Sequence, residues 1–212
     1  LDLQQAPLLR LVFAEDPAND RVAALLLFHH IIMDHLALDV VRREIQAYLS
    51  GRGAEVARAV PYRDHLARAR LGSDEQAHQA FFREMLGDID EPTLPGGLHD
   101  VQGDGQGIEE VSCMLDSDLS QCLRTQARQS GVSVASLMHL AMARVLGQLC
   151  GRSEVVFGTV LLGRMNAADG VEQALGMFIN TLPLRVDVGA SSVHDGVLTT
   201  HRRLTALLAH EQ

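Results

Sequence analysis

Two kinds of hydrophobic pattern divide the first part of this chain into predicted strands and helices. Residues 8–13 and 22–28 are short apolar runs on either side of the turn-rich segment 15–20, which predicts an antiparallel pair whose second strand is buried. Apolar positions then recur at helical spacing over residues 36–49, 62–70 and 73–86. Ser73 is expected to cap the last of these helices, because Gln76 follows three residues later.

The second half restarts after a segment with a different composition. Glycine, proline and aspartate crowd into residues 87–107, which is typical of an exposed linker. Beyond it the patterns predict strands at 108–115, 154–162 and 177–188 and helices at 117–130, 133–150 and 193–210. We therefore expect an α/β or α+β protein with part of one lobe in residues 1–90, an inter-lobe linker at 91–107, and part of a second lobe in 108–212.

Composition excludes several classes of function. The 212 residues carry a net charge of −9, and the basic residues form no long cluster, so nucleic acid is not an expected partner. No stretch reaches the roughly 18 unbroken apolar residues of a membrane span, so no membrane association is expected either. The 3 cysteines are widely spaced and include no CxxC pair, which favours free thiols and a cytoplasmic location.

The chemistry of the chain concentrates in residues 29–35, which read HHIIMDH directly after the apolar run. Because side chains alternate along a strand end, His29 and His30 point to opposite faces and cannot share a metal ion, so no metal site is expected. One interpretation makes His30 an acid or base, with Asp34 as its orienting partner or as the ion that fixes the loop, and His29 structural. The alternative is a purely structural histidine pair.

Four ordered motifs give this chain a family resemblance. They are HHIIMDH at 29–35, YRDH at 62–65, FGTVLLGR at 157–164 and GMFINTLPLR at 176–185. Together they resemble the condensation domains of nonribosomal peptide synthetases, whose corresponding motifs include HHxxxDG, YxDYA and GxFVNTLPLR. The chain departs from that pattern at His35, which stands where the family has glycine.

The resemblance implies a fold of two chloramphenicol-acetyltransferase-like lobes, here incomplete at both ends, because the family's domain is about twice this length. It implies amide-bond formation between an acyl or peptidyl thioester and an aminoacyl amine. Both substrates would arrive on the phosphopantetheine arms of upstream and downstream peptidyl carrier protein domains, with adenylation domains as neighbours. No intrinsic cofactor is implied.

The resemblance also implies roles for particular residues. His30 would take the amine proton or stabilise the tetrahedral intermediate, while His29 would be structural. Asp34 would be an orienting residue held by a salt bridge to Arg164, which supplies the cation that a buried carboxylate needs. The residues expected to line the tunnel or the lobe interface are His35, Asn180 and Arg185.

Three other functions remain compatible with these motifs. An epimerisation domain shares the HHxxxDG string, although its proton transfer would involve a glutamate. A coenzyme A-dependent acyltransferase usually carries a single-histidine HxxxD motif. The non-enzymatic alternative is a degenerate condensation-like domain that binds only carriers or a partner enzyme, and the substitution at His35 favours it.

Overall fold

The architecture comes from a computed structural model that describes residues 1–72, 74–99, 106–164, 170–189 and 192–211. The strands are β1 (Leu9–Asp16), β2 (Arg21–Phe28), β3 (Glu154–Leu161) and β4 (Asn180–Asp187). The α-helices are α1 (His35–Leu49), α2 (Tyr62–Gly72), α3 (Glu75–Leu86), α4 (Ser117–Gln129), α5 (Val134–Cys150) and α6 (Val193–Leu208). The mixture of helix and strand confirms the predicted α/β class.

The described residues form two compact units. The first unit comprises Leu1–Ser73 and Leu162–Asn180, and the second comprises Asp74–Leu161 and Thr181–Glu211. These limits differ from the lobes expected from the sequence, because α3 packs within the second unit and the segment after β3 returns to the first. The assignment of residues 1–90 and 108–212 to two lobes therefore stays a prediction.

The first unit begins with the expected antiparallel pair. In β1 and β2, Leu9 lies opposite Phe28 and Asp16 lies opposite Arg21. The expectation that β2 is buried is wrong, since Val22 is 63% and Leu25 is 58% exposed. Continuous apolarity indicates burial only when other elements cover both faces of a strand, and the described residues leave most of this two-stranded sheet uncovered.

Helix α1 follows β2 through a short 3-10 turn at His30–Ile32. Its N-cap is Asp34, whose side chain accepts a hydrogen bond from the backbone of Ala37. The helix buries Ala37 and Val40 and leaves its opposite face in solvent, which is the amphipathic pattern seen in the sequence.

The cap of helix α3 differs from the expected one. Asp74 is the N-cap, and its side chain accepts a hydrogen bond from Ala77 N–H. The expected cap, Ser73, lies outside the described residues. Aspartate and serine both cap helices well, so the sequence motif alone does not decide between neighbouring candidates.

The second unit contains the larger hydrophobic core. Helices α5 and α6 pack with β3 and β4, and the aromatic side chains Phe81 and Phe82 of α3 pack against the same core. The buried core residues are Leu140, Ala143, Leu146, Val155, Leu161, Leu184, Val186, Val197, Leu204 and Leu207. These positions confirm the buried strands predicted near 154–162 and 177–188.

Helices α4 and α5 meet at the expected break. Asp116 caps α4 and Ser133 caps α5, while Gly131 between them has a φ of 66°, a left-handed conformation that glycine adopts without strain.

No single helix of the described residues is long and apolar enough to cross a membrane, although α4 and α5 would pass that test as a pair bent by 109°.

The strand expected at residues 108–115 does not form. This segment is irregular, and Val111 and Met114 are 93% and 90% exposed. A strand needs a neighbour for its backbone N–H and C=O groups, and within the described ranges no strand pairs with this segment. A local pattern of apolar residues is therefore not sufficient to predict strand structure.

The expected linker is partly held in place. Arg152 Nη1 donates hydrogen bonds to the carbonyl oxygens of Glu91 at 3.2 Å and Pro92 at 2.9 Å. The Thr93 hydroxyl accepts a hydrogen bond from Val156 N–H at 2.9 Å. The start of the segment therefore packs within the second unit, whereas residues 100–105 lie outside the described residues.

Candidate active site

The two adjacent histidines after β2 have different surroundings. His29 is half-buried, and its Nδ1 accepts a hydrogen bond from Ile31 N–H at 3.1 Å, which caps the 3-10 turn. The backbone N–H of His29 also donates to Leu8 O at 3.1 Å. His30 is the first residue of the turn and is exposed. His29 is therefore engaged with the backbone, and the imidazole of His30 is accessible to a ligand.

Asp34 is buried, with its side chain 0% exposed. Oδ1 accepts a hydrogen bond from Ala37 N–H at 2.8 Å, and Oδ2 accepts one from Phe178 N–H at 3.1 Å. Its own backbone N–H donates to Gly176 O at 3.1 Å. Because these contacts join α1 to the segment before β4, Asp34 fixes two distant parts of the first unit to one another.

Arg164 provides the cation for this carboxylate. Its Nη2 lies 3.0 Å from Asp34 Oδ1, and its side chain is only 8% exposed. Nη1 donates to the carbonyl oxygens of Val171 at 2.6 Å and Ala174 at 3.0 Å. The guanidinium carbon lies 3.9 Å from the centre of the Phe178 ring, a cation–π distance. These contacts offset the cost of burying both charges.

The turn before Arg164 requires glycine. Gly163 is buried and has a φ of 65°, and a Cβ at this position would overlap the carbonyl oxygen of Phe178. Glycine therefore permits both the left-handed conformation and the close approach of two backbone segments. This explains why a glycine and an arginine are adjacent at the end of β3.

An aromatic cluster surrounds the Phe178 ring. The ring of Tyr62 meets it edge-on with centroids 5.0 Å apart, and the ring of His65 lies 4.6 Å away. The Tyr62 hydroxyl donates a hydrogen bond to Met177 O. The sequence matches this region to a motif but assigns it no role, since nothing in the spacing links Tyr62 to residues more than a hundred positions away.

Burial and charge shift two pKa values in this cluster. Burial, and secondarily the negative charge of Asp34, raise the pKa of Tyr62 above its ordinary value of 10.0. Burial, and secondarily the positive charge of Arg164, lower the pKa of His65 below its ordinary value of 6.5. Tyr62 is thus a neutral hydrogen-bond donor at physiological pH, and His65 is uncharged beside the guanidinium.

The remaining predicted site residues lie at element ends or in β4. His35 is the first residue of α1 and Asn180 the first residue of β4, and both are exposed. Arg185 in β4 is 13% exposed and binds the carboxylates of Asp88 and Glu154, with nitrogen–oxygen distances of 2.5 and 2.7 Å. Hydrogen bonds to Asp88 and then Glu154 raise the pKa of Arg185, so its guanidinium is committed to contacts within the second unit.

The described ranges contain no group of three or more histidine, cysteine, aspartate or glutamate side chains arranged to hold a metal ion. This segment offers the exposed imidazole of His30, four residues before the buried carboxylate of Asp34. Such an imidazole can accept a proton, donate one, or hydrogen-bond to a developing charge.

The family model described as Condensation domain matches residues 1–212, and the chain belongs to this family. Malpinin synthetase of Mortierella alpina is 49% identical over 211 residues, which cover 100% of this chain and 3% of that protein. Malpibaldin synthetase of the same organism is 46% identical over 211 residues, which cover 100% of this chain and 4% of that protein. The chain thus spans a small part of the synthetases that it matches.

Solved structures show the same fold at lower identity. SgcC5 of Streptomyces globisporus aligns with a TM-score of 0.73 and 23% identity, covering 100% of this chain and 49% of that one. The first condensation domain of the calcium-dependent antibiotic synthetase, solved with a substrate analogue, aligns with a TM-score of 0.70 and 24% identity over 91% of this chain and 46% of that one. The expected condensation-domain fold is therefore confirmed.

Proposed function

We propose that this chain catalyses amide-bond formation between two carrier-bound substrates. The amine of an aminoacyl thioester attacks the carbonyl carbon of an acyl or peptidyl thioester. The carbon–sulfur bond breaks, the pantetheine thiolate leaves, and the proton lost by the amine neutralises it. Membership of the condensation family supports this reaction class for the chain.

His30 is the residue to which we assign the chemistry. Its exposed imidazole either accepts the proton of the attacking amine or hydrogen-bonds to the oxyanion of the tetrahedral intermediate. His29 contributes indirectly, because its ring caps the turn that carries His30. Holding two tethered reactants together would supply much of the remaining rate enhancement.

The contacts of Asp34 carry this proposal. Its two carboxylate oxygens accept hydrogen bonds from Ala37, Phe178 and Arg164, so the carboxylate is committed to contacts within the protein. With the Asp34 carboxylate committed to structure, His30 and His35 are the exposed imidazoles of this segment, and the family resemblance assigns the chemistry to His30. Asp34 and Arg164 together would hold that segment rigid.

The proposal implies particular partners. Upstream and downstream peptidyl carrier proteins would deliver both substrates on phosphopantetheine, and adenylation domains would load those carriers in the cytoplasm. The relatives that are peptide synthetases support these partners. We retain His35 and Asn180 as proposed tunnel or interface residues, since both are exposed, whereas the ion pairs of Arg185 favour a structural role.

The test compares two reactions on one preparation. Carrier proteins loaded with a panel of aminoacyl and acyl thioesters are incubated with the wild-type protein and with His30→Ala, and both amide product and exchange of the Cα proton are measured. We expect amide product from the wild type, none above background from His30→Ala, and equal carrier binding by both.

Two results would contradict the proposal. Exchange of the Cα proton without amide product would assign the chain to epimerisation. Carrier binding with neither reaction, across the whole panel, would assign it to a degenerate domain that only binds carriers.

A further inference from the structure

Three consecutive residues before β4 are held by hydrogen bonds from the first part of the chain. Asp34 N–H donates to Gly176 O at 3.1 Å, and Phe178 N–H donates to Asp34 Oδ2 at 3.1 Å. The Tyr62 hydroxyl donates to Met177 O between them. Asp34 therefore makes the two outer contacts with segment 176–178, and Tyr62 makes the middle one.

The Tyr62 ring is fitted to the same segment. A Cβ at Gly176 would overlap the ring, so the ring lies directly against the backbone of this glycine. The ring also contacts Phe178 edge-on at 5.0 Å. The ring of Tyr62 thus contacts Phe178, which binds both the Asp34 carboxylate and the Arg164 guanidinium, while the hydroxyl binds Met177, the residue before it.

The protonation of Tyr62 agrees with a donor role. A backbone carbonyl only accepts hydrogen bonds, so the tyrosine must keep its proton to bind Met177 O. Burial and the nearby Asp34 charge raise the pKa of Tyr62, which keeps the phenol protonated throughout the physiological range.

We propose that Tyr62 is a positioning residue for catalysis by His30. It holds segment 176–178, which holds Asp34, which in turn caps α1 and directly follows Met33, the C-cap of the turn that carries His30. Tyr62 touches no substrate in this role. The inference rests on the proposed function, because it assumes that the position of His30 limits the rate of amide formation.

Tyr62→Phe removes the hydroxyl and keeps the ring. We expect kcat for amide formation to fall about fivefold, the effect of one hydrogen bond, with KM for both loaded carriers and the pH–rate profile unchanged. The matched control is Tyr48→Phe, because Tyr48 is the other tyrosine of this chain and is 66% exposed. This control should keep the wild-type kcat.

A second measurement tests the contact itself. The chain has 2 tyrosines and no tryptophan, so Tyr48→Phe leaves Tyr62 as its single phenol. Absorbance titration of that variant should place the pKa of Tyr62 above its ordinary value of 10.0.

The outcomes separate this inference from the proposed function. Unchanged kcat in Tyr62→Phe, with amide formation still abolished in His30→Ala, would overturn the positioning role and leave the function intact. A kcat loss that tracks a lower melting temperature, or a rise in KM without loss of kcat, would also overturn it. Wild-type amide formation by His30→Ala would overturn the proposed function.

Discussion

At the scale of single residues, the site depends on a buried ion pair, Asp34–Arg164, whose charged groups make several further hydrogen bonds. Asp34 and Arg164 are 0% and 8% exposed, and each makes further contacts with the backbone. Burying two charges is favourable only when such contacts replace water, and removing one partner leaves the other charge uncompensated. The pair is therefore a structural requirement of the segment that carries His30.

Removing the carboxylate tests this requirement. We expect Asp34→Ala to lower the free energy of unfolding by about 3–5 kcal/mol, measured by urea denaturation, because it leaves the Arg164 charge buried and unpaired. The matched control is Asp39→Ala, which breaks the exposed Asp39–Arg42 pair on the same helix and should cost less than about 1 kcal/mol. Equal losses in both variants would contradict the structural role of Asp34.

Two partly buried histidines predict a stability that falls in acid. Burial lowers the pKa of His65, with a smaller contribution from Arg164, and burial lowers that of His210, with a smaller contribution from His78. In the unfolded chain these histidines have a pKa near the ordinary value of 6.5. In the folded chain their pKa is lower, so the unfolded chain binds more protons as the pH falls. The contribution of these histidines to the free energy of unfolding is therefore fully present above their ordinary pKa and decreases as the pH falls below it.

The melting temperature should therefore decrease as the pH is lowered from about 7.5 to about 5.5. His65→Phe keeps an aromatic ring beside Phe178 and should reduce this fall. The control variant His194→Asn changes an exposed histidine on α6 and should leave this decrease in melting temperature unchanged. The same acid sensitivity in wild type and His65→Phe would show that His65 titrates freely in the fold.

At the scale of elements, the turn after β3 places Arg164 next to Asp34. Gly163 and Gly131 have similar φ values of 65° and 66°, but a Cβ would meet the Phe178 carbonyl at the first and open space at the second. The two glycines therefore separate the effect of conformation from the effect of close backbone approach.

Alanine at each glycine gives a matched comparison. Gly131→Ala should cost about 1 kcal/mol, the penalty of a left-handed alanine. Gly163→Ala should cost at least about 2 kcal/mol more, because the backbone of residue 178 must move away from Asp34. Equal values by urea denaturation would show that the two segments are not in close contact.

The sequence predicts best those elements whose ends are marked by residues close to them in the chain. The helices predicted at 117–130 and 133–150 form as α4 and α5, and their caps, Asp116 and Ser133, bind residues only three positions away. The strand predicted at 108–115 is wrong, because pairing depends on distant residues that a local pattern does not contain.

The site shows the same division between local and distant information. The position of Asp34 near the start of a helix is accessible from the apolar pattern that follows it. Its contact with Arg164 spans 130 residues and is expected only through the family resemblance. The contact from Tyr62 to Met177 spans 115 residues and is missed, because no spacing rule connects two such positions.

At the scale of the whole molecule, burial is unevenly distributed. The second unit has a continuous core between β3, β4, α5 and α6, while β1, β2 and residues 108–115 expose apolar side chains. Local stability follows burial and backbone hydrogen bonding, so these regions should open at different free energies.

Amide hydrogen exchange should reproduce this distribution. We expect residues 108–115 to exchange fastest, since these residues are exposed and make no ladder hydrogen bonds among the described residues. The amides of β3, β4 and the buried face of α5 should exchange slowest, which mass spectrometry of peptides can resolve. Protection of 108–115 equal to that of β3 would contradict the irregular conformation of this segment.

The assignment of the chemistry to His30 is decided by the single-turnover rate of amide formation in His30→Ala and His35→Ala. Both residues are exposed histidines in the same segment, so they differ in proposed role more than in surroundings. We predict that His30→Ala lowers the rate by about 100-fold or more, whereas His35→Ala stays within about threefold of wild type. Wild-type rates in His30→Ala would contradict the catalytic role of this imidazole.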